Sequence, residues 1–259
     1  MRMMKKVLGT VTVLALSVSL LAGCGSTAAS PVSSAASTAA ENTTSSVVSE
    51  TTSAAADENE AAAAQLLNDL TGSYQELWPV ILADEYKQTW LDYCTALVGE
   101  DNAEAAFEKL SSMVTGDVYG EDAVKAYANG GGAYFCGFTN SLATLTFDGE
   151  TSTISGTDKD GNVLFSHTYH YIGMEPVRGL YEFESDDADS GEFTYFFLAP
   201  DTSAETYHIE FRYGSDAEAL SQYDAGEYAY WLASGISTDC DQTMIDNCIE
   251  LFCTENLAG

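Results

Sequence analysis

Basic residues are scarce in this chain. Nine Lys and Arg stand against 40 Asp and Glu, giving a formal net charge of −31. Three of the nine, Arg2, Lys5 and Lys6, fall before residue 7, so the remainder is more acidic still. A surface of that sign repels phosphate backbones, which excludes nucleic acid as a partner. It equally excludes docking on anionic lipid through a basic patch. Histidine is limited to His167, His170 and His208. There is no G-x-S-x-G elbow, no phosphate-cradling glycine loop and no Cys–His signature, so no catalytic set is expected and the chain does not read as an enzyme. The cysteines match no C-x-x-C zinc motif. Aromatic residues are absent ahead of Tyr74 and after Phe252, which confines the folded core to the stretch between them.

What the sequence does contain begins with a leader. Met1 to Lys6 is positively charged, Val7 to Leu21 is apolar, and Leu21-Ala22-Gly23-Cys24 follows. The apolar run is shorter than the ~20 residues a permanent membrane helix needs. Small residues directly before a cysteine at that position form a lipobox, so residues 1–23 read as a lipoprotein signal peptide. The Cys24 thiol then carries the lipid and becomes the mature N-terminus. This predicts a lipid-anchored protein on the extracytoplasmic face of the cell membrane. Residues 24–56 are dominated by Ser, Thr and Ala. Such a segment has little to bury against the cost of ordering its backbone, and is expected to be a disordered tether.

The folded domain is expected over residues 57–259. Helical spacing marks Glu60 to Leu70, Glu85 to Leu97, Asn102 to Met113 and Asp122 to Tyr127, ahead of the glycines at 130–132. The period then changes to two. Ala143 to Phe147, Val163 to Tyr171, Leu180 to Glu184, Phe193 to Leu198 and Tyr207 to Tyr213 read as strands joined by turns such as Asp148-Gly149 and Asp160-Gly161. Asp239 to Leu251 reads as a closing helix. The fold class is therefore mainly β (α+β), an antiparallel curved sheet or small barrel with helices at its N- and C-terminal sides. Cys94, Cys136, Cys240, Cys248 and Cys253 lie in this domain. Their odd number leaves at least one thiol unpaired in a monomer, and one or two disulfides would suit an exported protein. Spacing does not fix the pairing.

One constellation carries chemistry. On the strand ending at Tyr213, alternation puts His208, Glu210 and Arg212 on one face and Tyr207, Ile209, Phe211 and Tyr213 on the other. An imidazole nitrogen and a carboxylate oxygen two residues apart can reach one Zn²⁺. Arg212 could instead neutralise Glu210. His167 and His170 are separated by an odd step and face opposite sides, so they cannot share an ion. The Asp158 to Asn162 stretch fails the calcium-loop pattern and reads as a hairpin turn.

With the strands placed, an ordered set of blocks resembles the ZinT (YodA) family of exported zinc-binding proteins. Leu70 to Pro79 (LTGSYQELWP) resembles its entry motif, and Val177 to Phe183 (VRGLYEF) its Val-Arg-Tyr-Leu-Phe-Glu strand. Phe193 to Pro200 resembles its segment ending in His-x-x-Ala-Pro, and His208 to Asp216 (HIEFRYGSD) its His-x-His-x-x-x-Gly-x-Asp. Asp224 to Leu232 and the last helix follow in order. The resemblance implies a calycin-like, lipocalin-related barrel and a divalent metal partner, zinc. The family's three histidine ligands fall by position on Phe196, His208 and Glu210. One ligand is thus lost, one kept and one exchanged, which implies weaker zinc binding than a three-histidine site gives. The alternative is a metal-free calycin-type module that holds a small apolar ligand or a protein partner.

Overall fold

The computed structural model describes residues 58–200 and 208–258. The leader, Cys24, the Ser/Thr/Ala-rich segment and Tyr207 lie outside them. Eight antiparallel strands close into a barrel in chain order: β1 (Gly72–Glu76), β2 (Thr144–Asp148), β3 (Thr153–Thr157), β4 (Val163–Met174), β5 (Tyr181–Ser185), β6 (Tyr195–Leu198), β7 (His208–Gly214) and β8 (Ala233–Ser237). Closure comes through β1, which pairs with β2 on one side and β8 on the other. The expectation of an antiparallel barrel flanked by helices is met.

Helix α1 spans 58–69 and buries Ala63, Leu66 and Leu67, with Leu70 just beyond; this apolar stripe packs into the barrel core. The β2–β3 turn touches the same helix so closely that a Cβ on Gly149 would stand 2.4 Å from Asn68 Cα. That contact accounts for the glycine of the Asp148-Gly149 turn. Helices α2 (Leu77–Ile81), α3 (Lys87–Val98), α4 (Glu100–Val114) and α5 (Glu121–Ala128) follow β1; α6 (Ala217–Leu220) sits between β7 and β8; α7 (Gln242–Leu257) ends the domain. No helix among the described residues is long and apolar enough to cross a membrane.

Two hydrophobic cores result. The barrel interior is filled by side chains: Tyr74, Phe147, Phe165, Tyr169, Phe183, Phe196, Phe211, Tyr213 and Trp231 are all buried in one cluster. Several rings stack or meet edge-on: Phe165 stacks on the partly buried Phe193 at 3.9 Å and Phe196 on Tyr213 at 5.3 Å between centroids, while Tyr169 meets Phe196 edge-on. Outside the barrel, Trp78 and Ile81 of α2, Trp90 and Cys94 of α3, Leu110 of α4, Ile236 of β8 and Ile245, Cys248, Ile249 and Cys253 of α7 form the second core. Between these two cores run the outward-facing residues of β7.

Candidate metal centre

Strand register decides where each residue of β7 points. Phe211 pairs with Ala233 and Ile209 with Gly235, all facing the interior, where a Cβ on Gly235 would stand 3.0 Å from Ile209. His208 pairs with Ile236, a residue of the helix-side core, and Glu210 with Ser234. His208 and Glu210 therefore leave the barrel's outer face together, as their alternation predicts.

They do not meet bare solvent. Both line a narrow cleft of about 40 Å³ between β7 and the helices, walled by Leu77, Trp78 and Ile81 of α2 and by Cys248, Leu251, Phe252 and Glu255 of α7. Cys248, Leu251, Phe252 and Glu255 follow one another at helical spacing, so one face of α7 supplies that wall. Trp78 packs edge-on to Phe252 at 4.7 Å and holds α2 against α7. The volume suits an ion or a water and is too small for an organic ligand. One imidazole, two carboxylates and a thiol thus border a single ion-sized space. Nitrogen, oxygen and sulfur donors of that kind fit zinc. Among the described residues, no three His, Cys, Asp or Glu side chains stand close enough together to hold an ion as they are placed.

Two sequence-derived expectations take different places. Phe196, the position corresponding to a family histidine, pairs in register with Tyr213 and is fully buried inside the barrel. It stands on the opposite face of the sheet from His208 and Glu210 and cannot join them. Arg212 is on the expected face, but its guanidinium is committed elsewhere. It is fully buried and donates to the backbone carbonyls of Leu220, Gln222 and Tyr228. His167 and His170 do take opposite faces, each bonded to an aspartate at 2.7 Å, Asp187 and Asp186 respectively. The α7 donors Cys248 and Glu255 were not singled out in the sequence; the repeat of Cys248, Leu251, Phe252 and Glu255 along one helix face was the available signal.

Arg212 belongs to a buried polar network that closes this end of the outer face. Its guanidinium and that of Arg178 each lie 4.4 Å from the ring centre of Tyr223. Glu175, also fully buried, accepts from the backbone N–H groups of Val177 and Arg178 at 2.8 and 2.6 Å and supplies the negative charge. Tyr223 donates to the same carboxylate at 3.5 Å. Burial first, and the charge of Glu175 second, push the Tyr223 phenol up from 10.0 to about 12, against the lowering effect of the two arginines. The folded state therefore keeps this proton where the unfolded chain loses it. The resulting stability is complete below the unfolded value and is lost as pH rises towards the folded one. Urea midpoints should fall between about pH 9 and about pH 12, with Tyr223 contributing on the order of 2 kcal/mol. Tyr223→Phe should flatten that fall; an unchanged slope would remove Tyr223 from the account.

A larger cleft of about 330 Å³ lies on the other side of Trp78, bordered by Pro79, Leu82, Val114, Phe135 and Cys136 among others. It is outside the barrel and is mostly apolar. Glu76 at its edge is occupied in accepting the Phe138 N–H at 2.6 Å.

Neither a protein-family model nor a curated protein matches the chain. Among solved structures it is similar to the Zn(II)-bound ZinT-like domain of Streptococcus pneumoniae AdcA, at 16% identity and a TM-score of 0.45 over 71% of this chain and 89% of that one. Zn(II)-bound AdcA from Streptococcus pneumoniae is matched at 16% identity and a TM-score of 0.44, over 72% of this chain but only 35% of AdcA. The eight-stranded antiparallel barrel with flanking helices rests on the strand pairings of this chain itself.

Proposed function

We propose that this chain is a lipid-anchored extracytoplasmic lipoprotein that binds a divalent metal ion, zinc, and is not an enzyme. The observation that carries the metal reading is the small cleft that His208 and Glu210 line together with Cys248 and Glu255. His208 and Glu210 would hold the ion from the strand, and α7 would supply the remaining donors. Zinc takes nitrogen, oxygen and sulfur ligands in a tetrahedral set, and this seam offers all three kinds. The surrounding acidity raises the local concentration of cations. Equilibrium dialysis against Zn²⁺ followed by metal analysis tests the reading. The parent chain should retain a single ion, and His208→Ala and Glu210→Gln should lose most of it. A parent that retains none, or variants that retain as much, would overturn it.

The anchor rests on the sequence around Cys24. Cys24→Ala removes both the lipid attachment point and the processing site, so the protein should leave the membrane fraction. A variant that remained membrane-bound like the parent would contradict the anchor.

The larger apolar cleft favours a second reading, the metal-free module. Its volume of about 330 Å³ is at the lower end for a small organic ligand. A fluorescent apolar probe that binds the parent and is displaced by Leu82→Trp, with no zinc retained by the parent, would support that reading.

A further inference from the structure

Cys94 on α3 and Cys253 on α7 lie at opposite ends of the folded sequence, yet both are 0% exposed and belong to the same helix-side core. Their helices pack along one another. Cys94 shares its buried face with Trp90, one turn earlier on α3, and Cys253 shares its own with Ile249 on α7. The two thiols lie close enough to shift each other's titration. Cys136, by contrast, neighbours Trp78 and Ser234, and Cys248 lines the cleft beside His208.

We propose that Cys94 and Cys253 are joined by a disulfide bond in the mature protein, a covalent clasp between α3 and α7. The proposal is independent of metal binding; its occurrence in the cell rests on the extracytoplasmic reading, because thiols stay reduced in the cytosol. The oxidant is a disulfide donor, a protein dithiol–disulfide oxidoreductase or oxidised glutathione. The Cys94 sulfur attacks one donor sulfur, forming a mixed disulfide and releasing one donor thiol. The Cys253 sulfur then attacks the Cys94 sulfur, and the second donor thiol leaves. Two electrons and two protons pass from the cysteine pair to the donor. Burial raises both thiols above their ordinary range. Few thiolates exist once the helices have closed, so the exchange takes place before α7 docks.

The clasp has a mechanical consequence. α7 forms one wall of the cleft that His208 and Glu210 line, and it packs on α3. Fixing α7 to α3 restrains the helix that forms that wall. The loop it closes is long, which makes the constraint on the unfolded chain large.

The full chain, unfolded in guanidinium and refolded in a glutathione redox buffer, is quenched in acid, alkylated with N-ethylmaleimide and digested without reduction. A protease cutting after Glu and Asp separates Cys248 from Cys253 at Glu250, and isolates Cys94 between Asp92 and Glu100. The expected product is the Cys94 peptide linked to the Cys253 peptide, split by reductant. Reduction should lower the thermal midpoint by roughly 10 °C. Cys94→Ala and Cys253→Ala should abolish that dependence on reductant, and Cys136→Ser should keep it. Both cysteines alkylated as free thiols, either one linked elsewhere, or a midpoint indifferent to reductant in the parent would each overturn the proposal. Because the pairing is read in vitro and the location by Cys24→Ala, the two can fail separately.

Discussion

Replacing Arg212 with methionine should lower the unfolding free energy by about 3–5 kcal/mol, measured by urea denaturation. The side chain is fully buried and its guanidinium donates to three backbone carbonyls, those of Leu220, Gln222 and Tyr228. Methionine fills similar space but leaves those oxygens buried without a donor, at about 1–3 kcal/mol each. It also leaves the Glu175 carboxylate with one cation fewer nearby. Against a typical domain stability of about 5–15 kcal/mol, the loss is a large fraction. Arg212→Lys should recover only part of it, because a single ammonium cannot span three carbonyls as a planar fork does. A loss below about 1 kcal/mol for methionine would mean that the segment from Ser215 to Leu232 is not held in place by this residue.

Phe196→His should be nearly as costly, by about 3–4 kcal/mol, and should bring no gain in zinc affinity. The family pattern would place a metal ligand at this position. In the fold its ring stacks among Phe165, Tyr169, Phe211 and Tyr213, and register with Tyr213 fixes it inside the barrel. An imidazole there replaces aromatic contacts with a polar ring that has no route to His208 or Glu210. The variant is therefore expected to unfold at lower urea while binding zinc as the parent does. Tighter zinc binding would show that Phe196 and His208 share a face, contrary to the β6–β7 register.

The contrast between these two residues marks how far the sequence is legible. Alternation along His208 to Tyr213 reads correctly because one face of the strand is strongly aromatic and the other carries charge. It cannot show that the charged face is roofed, since α7 and the segment closing over Arg212 are folded back from later in the chain. Strands β4, β5, β6 and β7 announce themselves through bulky alternating side chains. Strands β1 (GSYQE), β3 (TISGT) and β8 (ASGIS) do not. Apart from one large buried side chain in each, Tyr74, Ile154 and Ile236, their residues are small or polar, and they are strands because barrel closure pairs their backbone groups. The five helices legible in the sequence lie within a few residues of those in the fold, except that α7 continues to Leu257; the short helices α2 and α6 carry no such periodicity and are not legible. That extra turn and a half brings Cys253 to Cys94 and Glu255 to the cleft, so the missing end of one helix hid both the thiol pairing and a donor.

The claim at the centre of the account is that His208 and Glu210 form the strand half of a zinc site at the β7–α7 seam. Calorimetric titration of Zn²⁺ into the parent chain and His208→Ala, at neutral pH and again near about pH 5, tests it most directly. Only a neutral imidazole can donate to the ion, so acid and the alanine substitution should act alike. The predicted result is saturable one-to-one binding by the parent at neutral pH, lost in acid and absent from His208→Ala. General surface acidity would instead give weak, salt-screened binding shared by both proteins. Equal heats from parent and variant, or no saturable binding by either, would contradict the account.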